Sequence, residues 1–468
     1  MPQPTLPKSL FLKLSTLLLC GNFMLSSFQV EAQDFKLMRY DEDYSYLKKD
    51  SSLTFYDHLK FIPLSSDKNT YLSLGGEVRE EFDAFDNEDW GLHNAGNDNF
   101  FLQRYDLHTD WHFGDGVRFF FQLRSALENG RPNGPRPIDE DQLNVQNLFV
   151  DVRLWRNTND SLIIRGGRQE LNYGAGRLIS VREGPNVRLF FDGLKAIYRF
   201  KNLSIDALAM EAPQLNPGVF DDKMSKQLNL WALYATLKLP GNKNLDMYYI
   251  GFHKDSVLYQ NGAGNELRHT IGGRLWKNND GFVYDIEGAY QFGIFNNDNI
   301  SAWTASFDLG YLFNELKSKP SIGIRNDYIS GGSQSGNGDL ETFNPIYPKG
   351  GYFGFDPQVG PVNLIDIHPY ATILILPKVT FLADLVFNWR YSLNDGIYRP
   401  SGSFALTGAG SDKRHIGTDY LAKISYVASS FLSMDFGLQY FNTGPFINSE
   451  IPNHKNTIET NTRISFKF

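Results

Sequence analysis

Arginines recur along this chain at positions that share one face of successive segments: Arg104, Arg118, Arg124, Arg153, Arg165 or Arg168, Arg177, Arg182, Arg188 and Arg199. Arg274, Arg325, Arg390, Lys423 and Arg463 continue the series. Carboxylates stand beside them at Glu77, Asp106, Asp110, Asp151, Glu170, Glu183 and Asp192. A guanidinium is a permanently charged planar fork that grips carboxylates with two hydrogen bonds. A file of such groups would hand an acidic polysaccharide or another organic anion from one site to the next. The competing reading is structural: arginine–carboxylate ladders also solvate and stiffen a polar wall. For any single arginine the wall is the simpler reading, and only the ensemble points to anions.

The other constellations carry less chemistry. His108 and His112 are four residues apart, which in a strand is about 13 Å, too far to share a metal. Asp139-Glu140-Asp141 offers oxygens of the kind Ca²⁺ takes, although a solvated acidic loop tip explains it more simply. Apart from that loop, no cofactor is implied. Gly166-Gly167 and Gly174-Ala175-Gly176 precede no helical pattern, which argues against a phosphate loop. No serine elbow or His/Asp set of a hydrolase is present. Trp111, Trp155, Trp276 and Trp389 lie near predicted strand ends, where they fit an interfacial girdle. Tyr105, Tyr248 and Tyr352 are candidates to stack on sugar rings.

What must position these groups is a set of strands. Ile458, Thr460, Thr462, Ile464, Phe466 and Phe468 alternate with Glu459, Asn461, Arg463, Ser465 and Lys467, and successive strand side chains point to opposite faces. Tyr105, Leu107, Thr109, Trp111 and Phe113 likewise alternate with Arg104, Asp106, His108, Asp110 and His112. About eighteen such segments follow one another from 70–84 to 456–468, among them 161–171, 188–200, 243–252, 267–276 and 281–292. Gly114–Gly116, Lys201-Asn202, Pro240–Asn244 and Leu376-Pro377 read as short turns. The long connections are 84–99, 129–142, 172–187, 212–226, 331–364 and 392–412. This pattern predicts an all-β fold, a transmembrane antiparallel β-barrel with long extracellular loops and short periplasmic turns. At sixteen to eighteen strands such a barrel leaves an aqueous channel unless loops constrict it.

The amino end sets the compartment. Lys8 and Lys13 flank or enter an apolar stretch from Leu10 to Leu25, and Val30-Glu31-Ala32 offers a small-residue cleavage pattern. The predicted organisation is a Sec-type signal peptide at 1–32, a short periplasmic segment at 33–69 and the barrel at 70–468. The single cysteine, Cys20, falls in the signal, so the mature chain has neither disulfides nor thiolate ligands. Signal removal takes the formal net charge of −8 to about −9, which gives no support to nucleic-acid binding. Aromatics make up 15% of the chain, yet mean hydropathy is −0.35. A barrel reconciles the two, because only alternate strand residues meet lipid.

Two stretches resemble a known family. Arg165-Gly166-Gly167-Arg168-Gln169-Glu170-Leu171-Asn172-Tyr173-Gly174, followed by Arg177-Leu178-Ile179 and Phe191-Asp192-Gly193, looks like the core signature of the alginate export family. Phe343-Asn344-Pro345-Ile346-Tyr347-Pro348-Lys349-Gly350-Gly351-Tyr352-Phe353-Gly354, Asn363-Leu364, Trp389-Arg390 and Asp395-Gly396-Ile397-Tyr398 are similar to its second half. The resemblance implies an eighteen-stranded outer-membrane barrel of a Gram-negative bacterium, with an anion-selective, arginine-lined pore acting as a monomer. By that resemblance Arg104, Arg124, Arg153, Arg168, Arg177 and Arg390 line the pore, with Glu170 and Asp192 as acidic counterparts.

The expected activity is therefore passive conduction of an anionic or sugar-like solute, such as export of an acidic exopolysaccharide. An uptake porin of the same shape is the runner-up, and a barrel enzyme or adhesin belongs to a third class. The segment before the barrel is expected to cap the pore or touch a periplasmic secretion partner, and loop 331–364 is a candidate gate.

Overall fold

The computed structural model describes residues 35–50, 52–92, 96–225, 229–333, 338–408 and 410–468. The predicted signal peptide and Cys20 lie outside them. Eighteen long strands close into a ring: β1 (Thr70–Asp86), β2 (Asn97–Phe113), β3 (Val117–Asn129), β4 (Asp141–Arg156), β5 (Asp160–Gln169), β6 (Phe191–Phe200), β7 (Leu203–Glu211), β8 (Leu230–Leu239) and β9 (Lys243–Tyr259). They continue as β10 (Gly262–Lys277), β11 (Gly281–Phe295), β12 (Asp298–Leu312), β13 (Ser321–Ile329), β14 (Leu364–Leu376), β15 (Val379–Arg390), β16 (His415–Val427), β17 (Leu432–Thr443) and β18 (Thr457–Lys467). Each pairs antiparallel with its neighbour, and β18 returns to β1 through Glu77↔Lys467 to Asp86↔Ile458, so the ring has no free edge.

The period-two pattern places every strand, and the differences fall at the ends. Strands expected at 243–252 and 267–276 run on to Tyr259 and back to Gly262, forming a tall hairpin whose turn is only two residues long. Segments 161–171 and 188–200 are shorter in the structure, because Glu170 to Phe190 leave the wall and turn inward.

Leu107, Leu194, Phe282 and Ile322 point outward and are 54, 61, 54 and 54% exposed. In water that surface would be costly, whereas against lipid it is the stable arrangement. The inward positions carry the buried charges, together with an apolar set, Leu208, Met210, Leu230, Ile250 and Phe252, that packs in one cluster with Ile179 and Phe343. Trp276 departs from its expected girdle role: its indole faces the lumen and donates to Asp246 at 3.1 Å. Tyr105 faces outward, hydrogen-bonded to Glu80 at 2.7 Å, so it is removed from the solute path.

Candidate functional site

Two loops leave the wall and meet in the lumen. The first, residues 170–190, connects β5 to β6. Gly176, at φ +78°, closes a turn by donating from its amide to Tyr173 O at 2.9 Å, and a side chain there would be strained. The second, described at residues 330–333 and 338–363, connects β13 to β14. The two run side by side: Ser180 N donates to Tyr347 O (2.9 Å), Tyr347 N to Leu178 O (3.0 Å) and Lys349 N to Gly176 O (2.8 Å). The second loop is anchored to the wall by Gln291, which accepts from Asn344 N at 2.9 Å and donates to Asn344 O at 2.7 Å. Phe355 N and Asp356 N donate to Gln439 and Glu459.

Behind the first loop lies a closed ionic network. Arg124 pairs with both oxygens of Asp106 at 2.7 Å and reaches Glu170 at 3.5 Å. Arg104 meets Glu183 at 3.2 Å, and Arg188 meets Glu170 and Glu183 at 2.9 and 2.8 Å. Burial raises the Glu183 carboxyl, but Arg104 and Arg188 outweigh it and hold the group below the usual carboxylate range. Arg104 and Arg124 are 0% exposed and Glu170 is 1% exposed. These three expected site residues are brought together, yet they form a sealed seat for the loop and have no surface on an open path.

The other expected residues are dispersed. Arg177 crosses the lumen from the first loop to Asp285 and Glu287 on β11, at 3.0 and 2.8 Å. Arg153 sits at the periplasmic rim and donates to the Asp115 carbonyl of a turn at 2.6 Å. Arg168 and Asp192 pair at 2.8 Å, but they correct the expectation of a pore lining. Arg168 lies opposite Leu148, and Asp192 is two residues from Leu194, so strand parity puts both on the outer face with those exposed leucines. Arg390 is a second correction. It is fully buried at the outer end of β15, and its guanidinium donates to the carbonyls of Leu393, Asp395, Gly408, Ser411 and Lys413 at 2.6–3.1 Å. It ties down the 391–414 loop and offers nothing to a solute.

On the extracellular side the two loops bound a cavity of about 630 Å³ between β1, β18 and the 131–139 and 399–403 loops. Three of its arginines are spoken for: Arg463 by Glu81 (2.7 Å), Arg399 by Asp89 (2.8 Å), and Arg136 by Glu88, Asp139 and Asp356 (2.9, 2.9 and 2.7 Å). Any loop-bound Ca²⁺ at Asp139–Asp141 would compete with Arg131 and Arg136 for Asp139. Among the described residues no three or more His, Cys, Asp or Glu side chains are arranged to hold a metal.

Three cations in the lumen have no ion-pair or side-chain hydrogen-bond partner among the described residues. Arg182 leaves the first loop at φ +56° and lines the 630 Å³ cavity. Burial without a carboxylate lowers its guanidinium to about 10, so it stays charged at neutral pH. Lys349, exposed on the second loop, is lowered by partial burial and then by the charges of Arg325 and Lys423. Lys423 projects inward from β16, on the opposite face from the exposed Ile424. Sequence reading included Arg182 and Lys423 in the arginine series but did not single them out. Lys349 lay within a motif, with no local signal that it would be free.

A closed eighteen-strand barrel with a lipid-facing apolar wall, an ionic lumen and infolded loops defines an outer-membrane channel protein. The chain belongs to the alginate export family, whose model matches residues 70–461. Among solved structures it is similar to OccAB1 of Acinetobacter baumannii, at 13% identity and a TM-score of 0.57, over 88% of this chain and 100% of that one. It is also similar to OccK2 (OpdF) of Pseudomonas aeruginosa in complex with glucuronate, at 12% identity and a TM-score of 0.56, over 85% and 98% of the two chains. OccK5 (OpdH) of the same organism matches at 13% identity and a TM-score of 0.55, over 85% and 98%. At these identities the likeness is one of fold. Among curated proteins, none matches the chain.

Proposed function

We propose that the protein is a passive, anion-selective channel of a Gram-negative outer membrane, reached after Sec-type signal removal. It acts as a monomer in lipid and conducts a uronate-bearing solute, with export of an acidic exopolysaccharide such as alginate as the first reading. The observation that carries this is the set of free cations Arg182, Lys349 and Lys423, two of them on the meeting loops, in a lumen where arginines such as Arg104, Arg124, Arg177 and Arg463 are paired with carboxylates. A charge that is not already paired is the one a passing carboxylate can bind and leave. Tyr352, beside Arg177 at 5.3 Å, adds an aromatic face. The family match and the glucuronate named for a barrel of this fold support the same substrate class.

A second reading, uptake of a small uronate, is favoured by the two loops bridging the lumen, which suits a short solute better than a bulky chain. Single-channel recording in a planar bilayer tests both, with the reversal potential in a salt gradient and titration by glucuronate and by uronate oligomers. Anion selectivity with oligomer block supports export, and block by the monomer alone supports uptake. Cation selectivity, or indifference to uronates, overturns the anion reading.

A further inference from the structure

On the β1–β5 side the inner wall is largely ionic, yet Phe120 on β3 and Phe149 on β4 face inward, 0 and 1% exposed, with ring centres 5.4 Å apart. Aromatic rings on a water-filled lumen need a cover, and the chain supplies its own. Tyr40, upstream of the barrel, stands edge-on to both rings at 5.9 and 5.3 Å. Met38 packs into the same cluster together with Val181 of the first infolded loop. Polar pins fix the segment around these contacts. The Tyr40 hydroxyl donates to Glu170 O at 2.6 Å, while Arg118 and Arg188 donate to Tyr40 O and Leu37 O at 2.6 and 3.1 Å. Arg39 donates to Gly76 O and Phe468 O, at 2.9 Å each, across the β1–β18 seam. Further on, the helix α1 (Phe55–Lys60) is held by a Thr54/Asp57 capping box, and the buried Lys60 donates to Leu74 O at 2.8 Å.

We propose that residues 35–50 and 52–61 are a resident plug and positioning element of the channel. They close the β1–β5 side of the periplasmic mouth and seat the loop that carries Arg177 and Arg182. Solute is thereby confined to the β12–β16 side, past Lys349 and Lys423. The plugging stands on the cover over Phe120 and Phe149; the routing rests on the reading of the lumen as a conducting path.

The test uses the full chain in a Cys20→Ser background, with a membrane-impermeant charged thiol reagent applied from the periplasmic side. A cysteine placed by Phe120→Cys should label at least about tenfold more slowly than one placed by Lys423→Cys, because it reacts only when the segment opens. Adding Met38→Asp and Tyr40→Asp should abolish that protection. In planar bilayers, the Met38→Asp/Tyr40→Asp chain should conduct about twice as much as the parent and lose part of its ion preference. Equal labelling of the two cysteines overturns the plug, whether or not the aspartate variants assemble. Protection at position 120 with unchanged conductance and selectivity in the aspartate chain overturns the routing. A parent chain that does not conduct at all removes the channel reading instead, while the labelling still decides the plug.

Discussion

Arg124 on β3 donates from Nε and Nη2 to the two oxygens of Asp106, directly opposite on β2, at 2.7 Å each. The arginine is fully buried, so this pair belongs to the wall and the loop seat. Arg124→Ala leaves Asp106 as a buried charge without its ion-pair partner, while Glu170 keeps Arg188, and should cost about 3–5 kcal/mol. The loss should appear as a lower heat-unfolding temperature of the barrel on gels, while the reversal potential of surviving channels stays unchanged. A variant of parental stability with altered selectivity would place Arg124 on the conducting path after all.

Arg390 should behave as a loop anchor. Its five carbonyl partners span Leu393 to Lys413, and its guanidinium lies 4.1 Å from the Phe446 ring. Arg390→Ala should destabilise the outer loops by about 3 kcal/mol or more, seen as faster proteolysis within residues 391–414. Arg390→Lys should rescue little, since an ammonium has three donors and no planar fork. Ion selectivity should not move in either variant.

Seating of the amino-terminal segment should strengthen as pH rises. Burial lowers the Lys60 ammonium from an ordinary 10.5 to about 7, with Arg39 adding to the effect. When the segment is out, Lys60 titrates near its ordinary value, so between about pH 7 and 10.5 the released state binds more protons than the seated one. Seating therefore gains stability through that window and carries the full cost of a buried charge below it. Hydrogen exchange of α1 at pH 6 and pH 9, corrected for the intrinsic rate, should show tighter protection at pH 9. Lys60→Met should flatten the difference.

The free cations should set ion preference. Removing Lys349, Lys423 or Arg182 singly should shift the reversal potential toward cations and weaken glucuronate block by a few-fold each, about 1 kcal/mol. Arg153→Ala, at the rim beside Asp115, should leave both unchanged. Equal effects from Arg153 and Lys349 would argue for a diffuse field over a local binding step.

The strands were legible because alternation is a local property. Each of the eighteen segments shows its lipid face and lumen face in its own residues, and only the hairpin tips, where polar residues continue the ladder above the membrane, went unread. The site was legible only in part. Arg104, Arg124 and Glu170 were recognised as lumen residues, but nothing near them in sequence announces that Glu183 and Arg188 return to neutralise and cover them. The resemblance puts Arg168 in the lumen, but it is three residues from the inward-facing Arg165 and so lies on the opposite face of the strand. Its true face follows from the cross-strand register with Leu148.

The sequence by itself determined that this protein is a closed ring of alternating strands with an ionic interior, because side-chain direction in a strand depends on nothing beyond the parity of the residue number. Which charges remain free inside that ring was decided by tertiary structure alone. Pairing depends on distance, and the distances among Arg182, Lys349 and Lys423 are set by two loops folding back into the lumen and by the segment wedged beneath one of them.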